Sequence, residues 1–152
     1  MTFDPSTFFP DDYITARRAF LQAAGEAGAP LDGRRHEVAT APRGEALWMD
    51  VARLGPERPK ALVLTLSGTH GVEGFCGSGV QLGTLRHPGD AAPLPPDMGL
   101  VMVHGVNPCG FAWLRRVNED NIDLNRNFID WDKGPPPSSR RRPRRPGRRS
   151  RG

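Results

Sequence analysis

Two apolar runs at crossover spacing constrain this chain more than any other feature. KALVLTLSG (60–68) is apolar from Ala61 to Leu66 apart from Thr65, and GLVMVHGVN (99–107) is a second such run. Short runs rich in Val and Leu read as strands covered on both faces. Between them, VEGFCGSGVQLGTLRH (72–87) reads as a helix weakened by its glycines, and HPGDAAPLPPDMG (87–99) as a loop. Strand, helix, loop and strand in this order predict a right-handed crossover joining two parallel strands. The class is therefore α/β, in a layered open sheet.

The upstream segments fit this frame. Asp11 or Asp12 is placed to cap a helix in which Tyr13, Ala16, Phe20 and Ala24 recur at helical spacing, and Gly25 and Gly28 end it. HEVAT (36–40) and ALWMDVA (46–52) flank Pro42-Arg43-Gly44 and predict a hairpin. With 152 residues, one domain is the default. No apolar stretch approaches the roughly 20 residues of a membrane helix, and the N-terminus lacks a basic segment followed by an apolar one. Two cysteines, Cys76 and Cys109, do not make a disulfide framework, so a reducing cytoplasm is the expected location. Cys76 reads as a small buried side chain.

Charge divides the chain sharply. Residues 134–152 hold eight arginines and no acid; without them the net +4 becomes −4. Pro135-Pro-Pro137 blocks regular structure, and the rest of the tail is Arg, Pro, Ser and Gly. Such a segment is expected to be disordered. Eight arginines are enough for several phosphate contacts, but no aromatic residue interleaves them for base stacking.

Chemistry concentrates at the carboxyl ends of the two apolar strands, where open α/β sheets place their ligand sites. SGTHGVEG (67–74) puts His70 on the loop and Glu73 in the first helical turn, so both side chains can face one cavity. Taken alone, this is either a tight turn that holds a His and a Glu or half of a metal site, because zinc accepts both donors. The second stretch, NPCGFAWLRRVNEDNIDLNRNF (107–128), gathers Arg115, Arg116 and Arg126 with Asn118, Asn121, Asn125 and Asn127. Arginine offers a rigid donor fork for carboxylates. An Asn-rich surface loop with solvated arginines reads the same segment equally well.

Together the two stretches resemble the zinc carboxypeptidase superfamily, which pairs a His-x-x-Glu metal motif with a later Asn-Arg motif and includes metallocarboxypeptidases and the succinylglutamate desuccinylase/aspartoacylase deacylases. The wording is similar to an uncharacterised bacterial branch with a domain of unknown function, over residues 8–131. The resemblance implies a three-layer α/β/α open mixed sheet. It makes His70 and Glu73 the first two zinc ligands. Arg116 would polarise the scissile carbonyl, with Arg115 as a weaker substitute, and Asn125 and Arg126 would bind a substrate carboxylate. Asp123 and Asn127 would support the loop. The implied activity is zinc-dependent hydrolysis of a peptide or N-acyl amide bond in a small peptide or N-acyl amino acid.

The pattern also departs from that family, whose third zinc ligand is a later His and whose general base is a Glu later still. No histidine follows His104, and the last acid is Asp132. His104 is the nearest substitute, although a His there is more often packed; His36 and His87 read as ordinary hairpin and helix-end residues. The expectation is therefore the N-terminal portion of such a domain over 1–132, C-terminally truncated, with a disordered tail over 133–152 that a shifted reading frame would explain. Such a chain would bind zinc weakly and hydrolyse nothing efficiently. An incomplete sheet would leave an edge and an apolar face exposed. The alternative is a non-enzymatic fragment whose arginine tail binds nucleic acid or another polyanion.

Overall fold

A computed structural model describes residues 4–86, 94–128 and 130–133. The arginine-rich tail, His87 and most of the expected 87–99 loop lie outside the described residues.

After a short 3-10 turn (Pro5–Phe8), helix α1 spans Tyr13–Glu26. Asp12 caps it: its Oδ1 accepts the Thr15 amide N–H at 2.8 Å, satisfying one of the helix's free donors. Strands β1 (Leu31–Thr40) and β2 (Ala46–Leu54) form the expected antiparallel hairpin. β1 is longer than HEVAT because Leu31 to Arg35 pair with Ala52 to Trp48. That half is polar and carries no alternation, so its strand character comes from pairing with β2 rather than from its own sequence.

Strand β3 (Ala61–Leu66), helix α2 (Gly74–Arg86) and strand β4 (Met98–His104) form the predicted crossover, with β3 and β4 parallel. The sheet order is β1-β2-β4-β3, and β2 pairs antiparallel with β4, so the sheet is mixed. Helices α1 and α2 cover one face. Phe20, Ala23 and Ala24 of α1, with Leu82 and Leu85 of α2, pack on Ala52, Leu100 and Met102 of the sheet. Gln81 anchors α2 by accepting from Ser67 Oγ at 2.9 Å and donating to the Val103 carbonyl at 3.2 Å. A last helix, α3 (Pro108–Ala112), was not foreseen; Asn107 caps it and Pro108 begins it.

Burial corrects the reading of the two apolar runs. β4 is internal and largely buried, whereas β3 is an edge strand, and Leu62, Leu64 and Leu66 are each more than half exposed. These three flank Gly99, Val101 and Val103 on the face opposite the helices, and no described element covers them there. Cys76 is exposed rather than buried, because it lies on the outer side of α2; Cys109 is the buried thiol. No described helix is long and apolar enough to cross a membrane.

Candidate functional site

The site forms where β3 and β4 end side by side. Ser67 N–H donates to the Val103 carbonyl at 2.9 Å, and the Val106 and Asn107 amides donate back to Ser67 and Gly68, so the two exit loops are laced together. Gly68 holds φ +69° with the Phe111 ring against its Cα, leaving no room for a side chain. Gly71 is packed as tightly, with the backbones of Arg115 and Gly110 where a Cβ would stand. Its N–H donates to the Arg115 carbonyl at 2.8 Å. Buried Asn107 adds a bond from its side-chain amide to the Thr69 carbonyl at 3.2 Å. The 107–116 segment thus clamps the His70 loop.

His70 is held at both ring nitrogens. Nδ1 lies 2.8 Å from Glu73 Oε2 and Nε2 lies 2.9 Å from Asp123 Oδ1. The His70 side chain is 11% exposed and Asp123 15%, while Glu73 is 72% exposed. Arg116 Nε donates to the other Asp123 oxygen at 2.8 Å. The hydrogen bond to Asp123, then that to Glu73, raises the His70 pKa above its ordinary value. The bond from His70, assisted by Arg116 and the Asn125 amide, pulls Asp123 down to about 2.

His70, Glu73 and Arg116 therefore converge, and their centre is Asp123. Glu73 differs in detail from expectation: α2 begins at Gly74, so Glu73 sits in the turn before the helix. Asn125 joins through its backbone, whose N–H donates to Asp123 Oδ1 at 2.9 Å. The side chains of Asn125 and Arg126 point outward on a 3-10 turn (Leu124–Arg126) and make no polar contact among the described residues. Arg115 turns away, donating to Asn121 Oδ1 at 3.1 Å. His104 does not join the group. It is fully buried, bonded to Ser78 Oγ at 2.9 Å and stacked on Phe20.

The family resemblance makes Asp123 only a loop support. The missed signal was chemical: a histidine that binds metal usually gives its other N–H to a carboxylate. Asp123, two residues before Asn125, was an available partner for that N–H.

His70 Nδ1 and Glu73 Oε2 lie 2.8 Å apart as a hydrogen-bonded pair. Two donors on a tetrahedral zinc with bonds of about 2.0–2.1 Å stand about 3.3 Å apart, so this pair needs to open only slightly. Among the described residues, no group of three or more His, Cys, Asp and Glu is arranged to hold a metal ion. The donor pair fits one side of a zinc shell.

No curated protein matches the sequence. Among solved structures, the chain is similar to the glutaminyl cyclase of Fimbriiglobus ruber at 13% identity, over 68% of this chain and 46% of that one, with a TM-score of 0.44. It is similar to Porphyromonas gingivalis glutaminyl cyclase at 19% identity, over 65% and 40%, with a TM-score of 0.42. A putative Zn-dependent exopeptidase from Bacteroides vulgatus also matches at 19%, over 65% and 41%, with a TM-score of 0.44. The chain spans less than half the length of each of these proteins. In sequence, the pattern of a family described as "Protein of unknown function (DUF2817)" matches residues 9–141, and the chain belongs to that family.

Proposed function

We propose that the loop cluster is part of the active site of a zinc-dependent hydrolase of peptide or N-acyl amide bonds. The observation that carries this reading is the imidazole of His70 fixed between Glu73 and Asp123. Both ring nitrogens donate to carboxylates here; loss of the Nδ1 proton, with Nε2–H kept on Asp123, would leave the Nδ1 lone pair for a metal, the tautomer that a carboxylate–histidine pair selects. His70 and Glu73 would hold the ion. When bound, zinc supplies an acidified water and a polarised carbonyl.

The chain's own groups do the rest. Arg116, braced by Asp123 through Nε, keeps its terminal nitrogens for the substrate carbonyl oxygen, where charge grows in the transition state. Asn125 and Arg126, with exposed side chains beyond Asp123, would take the carboxylate of a small peptide or N-acyl amino acid. Two protein donors do not hold zinc tightly, so weak binding and little turnover are expected of the chain as it stands.

Titration of the full chain with zinc, read on the histidine ring resonances, tests the reading. Selective perturbation of His70, abolished in Glu73→Ala, is expected, at zinc concentrations well above those that fill a complete structural site. Zinc that leaves His70 untouched, or that moves His36 equally, overturns it.

A further inference from the structure

The two edges of the sheet are finished differently. β1 carries Asp32, Arg34, Arg35 and Glu37 and breaks its register between Arg35 and Thr40. Charges and bulges of this kind keep an edge from taking on another strand. β3, at the other edge, reads Ala-Leu-Val-Leu-Thr-Leu and pairs with β4 without a register break, so it has neither device.

The free side of β3 has a definite register. The Ala61 and Ser67 N–H groups donate across to β4, to the Asp97 and Val103 carbonyls at 3.4 and 2.9 Å. Main-chain groups alternate in direction along a strand. Residues 61, 63, 65 and 67 therefore face β4, and the N–H and C=O groups of Leu62, Leu64 and Leu66 face the open edge. The same three residues carry the side chains left more than half exposed. Unmet backbone groups and bare apolar surface thus fall on one set of residues.

That set is complementary to itself. When two copies of β3 run antiparallel about a two-fold axis at Leu64, Leu64 meets the partner's Leu64 and Leu62 meets the partner's Leu66. Each such pair exchanges two main-chain hydrogen bonds, because edge-facing residues stand opposite one another. The leucines of both copies then form adjoining rows on one face. On the helix face Val63 meets the partner's Thr65, both β-branched. Lys60 falls opposite the partner's Gly68, so the two lysines stay at opposite ends of the pair. A slip of one residue would set an edge-facing leucine against Val63 or Thr65, whose groups are already spent on β4.

We propose that a second copy of this chain pairs with β3 in this register, joining two four-stranded sheets into one. A single strand from each protomer buries less than the roughly 1,200 Å² of a standard interface, so the dimer exchanges with monomer. The His70 loop follows the carboxyl end of β3, and antiparallel pairing sends the two loops to opposite ends.

Amide hydrogen exchange of the full chain by NMR, across a concentration series and alongside sedimentation velocity, tests the proposal on the unmodified protein. Sedimentation is expected to show a closed monomer–dimer equilibrium. In the monomer the Leu62, Leu64 and Leu66 amides should exchange fast and those of Val63 and Thr65 slowly. Once about nine chains in ten are paired, the leucine amides should slow about tenfold, since only monomer exchanges there. Cross-linking reads the register. Leu64→Cys in a Cys76→Ser background should form a disulfide with its own copy, because bonded antiparallel partners have Cα atoms about 5.5 Å apart. Val63→Cys, which faces the partner's Thr65, should not. His70→Ala should leave dimerisation unchanged, so failure here and failure of the hydrolase reading are told apart. A monomer at every concentration, assembly that grows beyond a dimer, or equal cross-linking by the two cysteine variants overturns the proposal. So do leucine amides already protected in the monomer, which would mean that another segment of the same chain covers the edge. The exchange pattern decides the matter even if a cysteine variant does not fold.

Discussion

Asp123 carries the most consequence per atom. One oxygen accepts from His70 and from the Asn125 amide, the other from Arg116, so a single carboxylate fixes a ring, a turn and a guanidinium. Asp123→Asn should lower the pKa of His70, because the largest influence raising it is removed while Glu73 remains. Ring titration by NMR measures this; an unchanged midpoint would mean that the bond does not persist in solution. The sign for stability follows. A histidine whose folded pKa is raised contributes stability below its unfolded value of about 6.5, and that contribution is lost as pH rises through the folded pKa. In Asp123→Asn the contribution shrinks. Leu114 makes a different case. It holds φ +53° and is 56% exposed, so it bears left-handed strain with little burial in return. Leu114→Gly should be neutral or stabilising by up to about 1 kcal/mol in urea unfolding, the strain relieved less glycine's entropy cost. A loss beyond about 1 kcal/mol would show that the side chain packs.

At the scale of elements, the β3–α2–β4 crossover was legible because its signals are local: two apolar runs, a helical stretch between them and polar punctuation. The position of β3 was not. An apolar run records what a strand needs covered, whereas its place in the sheet depends on partners that the run does not name. The same reasoning separates His70 from Asp123. The His-x-x-Glu spacing is visible over four residues, but the bond between positions 70 and 123 spans 53, and only the fold brings them together. β3 gives an element-scale prediction. It carries no charge or proline to discourage edge pairing, and its outer face presents Leu62, Leu64 and Leu66. Leu64→Lys should reduce self-association, read by light scattering across a concentration series. Its effect on folding stability should stay within roughly 0.5 kcal/mol, since the side chain is 56% exposed. Self-association equal to that of the unmodified chain would mean that this edge is not the sticky surface.

Over the whole molecule, the helices and sheet meet around an uncharged histidine, and this sets how the fold responds to acid. His104 is 0% exposed beneath the Phe20 ring, whose centroid is 4.7 Å away. Nε2 is bonded to Ser78, and Nδ1 is buried without a hydrogen bond. Asp50 of β2 stands opposite it in the ladder and is ion-paired with Arg17 of α1 at 2.6 Å. Burial first, and Arg17 second, lower the His104 pKa to about 3. The folded value is below the unfolded one of about 6.5, so the unfolded chain takes up the proton first. Stability is complete above about pH 6.5 and falls as pH drops towards 3, by up to about 1.4 kcal/mol per pH unit. The raised pKa of His70 opposes this slope near neutrality, but below about pH 5.5 its unfolded form is fully protonated and the opposition ends. His104→Gln keeps a polar partner for Ser78 and cannot titrate. Urea unfolding of both proteins at pH 7, 5 and 4 should therefore show the variant less stable at neutrality but with a shallower acid slope. Parallel slopes would mean that His104 is charged, or reached by water, in the folded state.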